Sequence, residues 1–166
     1  MGRDSVTRWS GMLAAVAVAG CAAMGMPKVV PGKSSEADVV AAMGKPAMEL
    51  KRPNGDRLLY YTYYPWGRKV TVATLGADGV LRGLEPRLTS DNIYSIKQGM
   101  KEQEVRELLG PPREISRLPI QDLVVWEYPW MKSSTEKRIL WVHFSRDGVV
   151  AKIVEMHDEV AEPSTD

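Results

Sequence analysis

The sequence predicts an α+β fold built from two tandem αα-βββ(β) units, with antiparallel sheet carrying its helices on one face. Three observations predict it. The stretch Gly32–Pro46 is echoed by Gly99–Pro112, so that Val39, Gly44 and Pro46 meet Val105, Gly110 and Pro112 exactly 66 residues later. Tyr64-Pro65-Trp66 and Asp78-Gly79-Val80 also return, in the same order, as Tyr128-Pro129-Trp130 and Asp147-Gly148-Val149. Between these landmarks, short apolar runs are punctuated by Asn-Gly and Asp-Gly pairs, the signature of strands joined by tight turns. Fixed-order internal similarity is the mark of a repeated structural unit.

The N-terminus precedes both units. Arg3 and Arg8 form a basic leader, followed by the uncharged stretch Gly11–Ala19. Crossing a bilayer takes about 20 apolar residues, so this stretch is too short to span and fits a secretory signal. It ends in Val18-Ala19-Gly20-Cys21, which resembles a bacterial lipobox with the cysteine as the lipidated residue. Cys21 is the only cysteine, which excludes an intrachain disulfide and a multi-cysteine metal site. Two or three acyl chains, at about 0.8 kcal/mol per buried CH₂, hold a protein firmly to a bilayer. Residues 1–20 are thus expected to be a signal peptide, and 21–28 a tether. Ala22, where an aspartate would favour inner-membrane retention, suggests the outer membrane. Losing residues 1–20 takes two arginines and one aspartate from 22 basic and 21 acidic groups, leaving 20 of each. No basic excess remains to hold a nucleic acid or an anionic lipid surface.

The first unit is expected over 29–86 and the second over 87–158, with 159–166 a flexible tail. Val39, Ala42 and Met43 form one apolar helical stripe, and Val105, Leu108 and Leu109 another. Ser35 with Asp38 fits a capping box, and Gly44 and Gly110 fall where a left-handed C′ residue is wanted, each followed by a proline two residues on. A shorter helix capped by Thr89 or Ser90, carrying Ile93 and Ile96, precedes the second stripe. Strands are expected at Met48–Arg52, Leu58–Tyr64, Lys69–Leu75 and Val80–Glu85, then at Leu123–Tyr128, Ile139–Ser145 and Val149–Met156. A 60-residue unit alone is marginal, so the two are expected to lie side by side and share a longer sheet and a better core.

An Ile or Val, then G-M, a valine, L-L-G-x-P, an aromatic-rich strand and F-x-x-x-G-V together resemble the SmpA/OmlA family of BamE-like outer-membrane lipoproteins. The second unit carries the pattern best, through Ile96, Gly99, Met100, Val105, Leu109, Gly110, Pro112, Trp126, Tyr128, Phe144, Gly148 and Val149. The first departs from it, with Leu75 in the place of that phenylalanine and one additional residue after Gly32. The resemblance implies a non-enzymatic, periplasm-facing scaffold that supports β-barrel protein assembly or envelope integrity, and a doubled copy leaves its partner open. The doubled arrangement is also similar to secreted β-lactamase inhibitor proteins, which implies an inhibitor or ligand-binding module using its sheet.

Candidate binding residues follow from strand alternation. Leu140, Val142 and Phe144 suit the helix side, leaving Trp141 and His143 on the other face. Either Tyr61 and Tyr63 or Tyr60 and Tyr64 should face away from the helices, and Tyr60 and Tyr64 are grouped with Trp141 and His143 as a protein-binding patch, since aromatics favour interfaces. Cross-strand packing is the alternative use of the same side chains. Trp66 and Trp130, each after proline in an expected turn, are candidates for membrane-proximal contact, because indoles favour that zone. No cofactor is expected: there is no nucleophile elbow, P-loop or dinucleotide fingerprint. Glu155, His157 and Glu159 could hold a metal but fit a solvated strand end better. The expected partners are the membrane, through the lipid, and an envelope protein such as the β-barrel assembly machinery.

Overall fold

In the computed structural model, residues 28–158 are described; Val18, Ala19, Gly20, Cys21, the leader, most of the tether and the tail from Glu159 lie outside them. Helix α1 (Glu36–Met43) starts on the capping box expected: Ser35 Oγ accepts from the Asp38 N–H at 3.3 Å, and the Asp38 carboxylate accepts from the Ser35 N–H at 2.8 Å. It ends at Gly44, with φ 81° and ψ −166°. That is not the left-handed helical C′ expected, but an extended positive-φ conformation essentially reserved to glycine. It sends the chain straight into strand β1 (Met48–Lys51), which pairs antiparallel with β2 (Arg57–Thr62) across a turn closed by Gly55. Strands β3 (Val70–Leu75) and β4 (Leu81–Pro86) complete a four-stranded meander.

Thr89 then caps α2 (Ser90–Tyr94), accepting from the Asn92 N–H at 3.3 Å and burying Ile93. Helix α3 (Glu102–Leu109) begins with the Glu104 carboxylate accepting from the Lys101 N–H at 2.7 Å. It ends at Gly110 with φ 82° and ψ −165°, the geometry of Gly44 again. A second meander follows: β5 (Glu114–Leu118), β6 (Leu123–Met131), β7 (Lys137–Phe144) and β8 (Val150–His157). In both halves the hairpin after the third strand is tied to the helix start in the same way. Gly32 N–H donates to Leu81 O at 2.7 Å and Glu36 N–H to Gly79 O at 3.1 Å; Gly99 N–H donates to Val150 O at 2.9 Å and Glu102 N–H to Gly148 O at 3.0 Å.

The α+β class is as predicted, and the architecture corrects it in three respects. Among the described residues, only one helix precedes the first sheet. The sheets are two separate four-stranded ones, not one shared sheet. The first sheet is also covered on both faces. Leu59, Tyr61, Ala73, Leu75 and Leu81 pack with Val39 of α1, while Leu58, Tyr60, Val70 and Val72 join α2, α3 and the inner face of the second sheet in a larger core. The reason lies in β2: Leu58-Leu59-Tyr60-Tyr61 is apolar at both parities, so each face of its sheet must be buried. The C-terminal end of α3 sits between the sheets, where the Tyr60 hydroxyl donates to Glu107 O at 2.7 Å and the Tyr128 hydroxyl to Gly110 O at 3.2 Å. Carbonyls that a helix end leaves without intrahelical donors are thus satisfied from both sides.

Strand β5 was not foreseen, being a short, mostly exposed edge with Ile115 facing water. The unexpected length of β6 places Pro129 inside a strand. Glu127 O accepts from the Arg113 N–H on the β5 side, so two residues on, the proline's missing N–H points the same way. There β5 has already ended, with Glu114 opposite Glu127, and no ladder bond is lost.

Candidate binding face

Alternation along β5–β8 sorts the second sheet into two faces. One, with Trp126, Tyr128, Leu140, Val142 and Phe144, lies in the core. Register puts Ser116, Val125, His143 and Lys152 in one cross-strand row of the other face, and Glu114, Glu127, Trp141 and Val154 in the next. Among the residues lining the space over these rows, none belongs to a described helix. Glu114, Ser116, Leu118, Val125, Glu127, Trp141 and His143 line a hollow of about 230 Å³.

One wall of the hollow is fixed. The Trp141 indole N–H donates to the Glu127 carboxylate at 3.0 Å, and the Arg113 guanidinium donates to that carboxylate's other oxygen, through Nε at 2.7 Å and through its terminal nitrogen. This pins the indole in place. His143 is 8% exposed, and its Nδ1 has no hydrogen-bond partner among the described residues. Burial, with the Lys152 ammonium on the neighbouring strand, holds the imidazole below its ordinary 6.5, so it is neutral at pH 7. Glu114 is exposed and without an ion-pair partner among the described residues.

Trp141 and His143 therefore share one open face, as their alternation predicts, but Tyr60 and Tyr64 do not join them. Tyr60 is fully buried against α3, and burial pushes its hydroxyl up to about 12. Tyr64 packs against the same core, its hydroxyl buried and likewise pushed up. Strand alternation separates two faces but cannot tell which of them a second element covers. The two tryptophans after proline also part company. Trp66 is 94% exposed in the turn between β2 and β3, whereas Trp130 is fully buried in β6, edge-on to Tyr94 with ring centroids 6.1 Å apart. A buried indole cannot meet lipid headgroups. Glu155 pairs with Arg138 at 3.3 Å, and no three His, Cys, Asp or Glu side chains among the described residues are grouped to hold a metal. No helix there is long and apolar enough to cross a membrane. Sequence reasoning missed Glu114, Ser116, Leu118, Val125 and Glu127. Val125 and Glu127 were open to discovery, standing two apart on the strand that hairpins onto Trp141 and His143.

No family model matches the chain, the SmpA/OmlA family included, and no curated protein matches it. Two solved structures are similar at a distance. The DUF4309 family protein YjgB from Bacillus subtilis is 16% identical, with 78% of this chain and 82% of that chain covered and a TM-score of 0.30. A protein described as a candidate β-lactamase inhibitor from Streptococcus mutans is 15% identical, with 74% and 82% covered and a TM-score of 0.34. Likeness this distant leaves function to the geometry of the site.

Proposed function

We propose that the chain is a non-enzymatic protein-binding module, lipid-anchored through Cys21, whose recognition surface is the open face of the second sheet. One observation carries the reading. Ala47 N–H donates to Tyr60 O and Arg113 N–H to Glu127 O, each at 2.8 Å, so Tyr60 and Glu127 hold matching places in the two meanders. In the first sheet that face is apolar and receives a helix; in the second it carries Trp141, His143 and two carboxylates around a hollow. Read as tandem copies, the units have kept one fold while the second copy's outer face is left free for a partner. An aromatic anchor inside a polar rim is the usual composition of such a surface.

The sequence supports the anchor through its lipobox, and an outer-membrane site facing the periplasm follows from Ala22. A partner on the membrane or in the periplasm fits both the scaffold reading and the inhibitor reading. A photo-crosslinking residue at Ser116 of the native protein, in intact envelopes, separates them. Recovery of a barrel-assembly component supports the scaffold, and recovery of a hydrolase that the protein blocks supports the inhibitor. The same residue at Val40, on the outside of α1, serves as control. Crosslinks at Val40 with none at Ser116 overturn the choice of face.

A further inference from the structure

We propose that the end of the molecule formed by the β2–β3 turn and the β6–β7 hairpin is a membrane-contact surface. Trp66 would sit at the headgroups of an anionic phospholipid bilayer, with the cations around it facing the phosphates. The choice of a bilayer as occupant rests on the reading of Cys21 as a lipid anchor.

Trp66 is the first observation. Tryptophan is highly buried on average, yet this one is almost wholly exposed, while Trp130, after the other Tyr-Pro pair, is fully buried. The turn that carries it is closed: Gly67 N–H donates to Tyr63 O at 2.7 Å and Tyr63 N–H to Lys69 O at 3.1 Å. A Cβ on Gly67 would stand 2.7 Å from that of Tyr63, so only glycine fits there. The backbone thus holds the indole out, with the half-exposed Tyr63 beside it. Rings with an apolar body and a polar edge favour the zone between headgroups and acyl chains.

Charge is the second observation. Trp66, Arg68, Lys69, Arg113 and Lys137 line a hollow of about 430 Å³ that has no carboxylate among its lining residues. Behind it the Asp158 carboxylate pairs with Arg68 and that of Glu127 with Arg113. Four cations against those two carboxylates leave a positive excess, and Lys69 and Lys137 are exposed. Exposed Lys132 follows Met131 of the lining, and exposed Lys45 lines the next hollow with Tyr63. Glu136, the carboxylate of the β6–β7 turn, is taken by Arg138 at 3.0 Å. The mature chain has no net charge to bring to an anionic surface; the fold gathers cations at this end. Each lysine or arginine near such a surface raises partition about fivefold. A free anion would use the cations and leave the indole in water, whereas a bilayer uses both.

The anchor allows the contact. Seven residues lead from Cys21 to Lys28, at most about 25 Å of chain. Gly32 is held to Leu81 at the start of β4, and that strand runs about 17 Å to Pro86, opposite Thr71 beside the β2–β3 turn. With this end down, the strands rise from the bilayer and the open face of the second sheet stays uncovered.

The test takes native protein from its own membranes, reconstituted into vesicles, and reads tryptophan quenching by phosphatidylcholine brominated near the headgroup end of its acyl chains. The contribution of Trp66 is the difference from Trp66→Phe. With about 30% phosphatidylglycerol or phosphatidylserine, that contribution should be quenched at least about threefold more than in phosphatidylcholine alone. Lys69→Glu combined with Lys137→Glu should abolish the difference, as should about 1 M sodium chloride. Equal quenching in neutral vesicles, none in any vesicle, or no effect of the charge reversal overturns the inference. Inorganic phosphate that releases Trp66 where sodium chloride of equal ionic strength does not reveals a soluble-anion site, and overturns it too. Mass spectrometry of the same sample separates this surface from the anchor. An acylated Cys21 with Trp66 unquenched keeps the anchor and removes the surface; quenched Trp66 on a chain without acyl groups does the reverse.

Discussion

Replacing Gly110 by alanine tests how the first sheet is seated on α3, and Gly44 provides the internal control. The two glycines have the same backbone, φ 82° and ψ −165° against φ 81° and ψ −166°, and each N–H donates to the carbonyl four residues earlier at 2.8 Å. Any side chain at either position is strained by about 1–3 kcal/mol. Their surroundings differ. A Cβ on Gly44 meets nothing within 4 Å, whereas one on Gly110 would stand 2.7 Å from Val70 Cγ1 and 2.9 Å from Tyr60 Cδ1. Both neighbours are buried in the core and cannot swing away. Overpacking of that kind costs about 1–3 kcal/mol. Gly44→Ala should therefore lose about 1–3 kcal/mol and Gly110→Ala about 2–6, a large part of a typical 5–15 kcal/mol. Urea unfolding followed by tryptophan fluorescence and by circular dichroism measures both. At a slope of about 2 kcal/mol per molar, a 2 kcal/mol difference separates the midpoints by roughly 1 M. Equal losses at the two glycines would refute the packing of the first sheet against α3.

Three further outcomes are expected. Tyr60→Phe removes the donor to Glu107 O and should cost about 1–3 kcal/mol in the same unfolding assay. The folded Tyr60 hydroxyl titrates near 12 against an ordinary 10.0, so the unfolded chain releases its proton first. Stability should fall as pH rises through that window, less steeply in Tyr60→Phe. His143 has the opposite sense of titration. Its proton binds more readily in the unfolded chain, so its contribution is complete above pH 6.5 and lost as pH falls below it; His143→Gln should flatten the acid limb of stability against pH. Cys21→Ala should move the protein from the membrane fraction to the soluble one, and mass spectrometry of native material should find the N-terminus at an acylated Cys21.

Local elements were legible because their causes are local. The Ser35–Asp38 box, the Thr89 cap, the Asn54-Gly55 turn and the glycine-proline helix stops are decided by groups a few residues apart, and each is where spacing puts it. That Trp141 and His143 share the face opposite Leu140, Val142 and Phe144 was legible too, since those three so clearly want the core. Trp130 was misjudged because a proline inside a strand reads as a turn until its neighbour β5 is seen to stop short.

Taken alone, then, the chain determined its helices, its hairpins and the parity of its strands, all matters of a few bonds or a few ångströms along the backbone. Only the tertiary structure decided that the first sheet is buried twice and the second once. Apolar side chains at both parities of β2 demand cover without naming it, and α3 supplies that cover from a part of the chain some fifty residues away, its last carbonyls held by Tyr60 and Tyr128. That single docking withdrew Tyr60 and Tyr64 from solvent, whereas Trp141 and the largely buried His143 line a hollow on the other sheet's outer face.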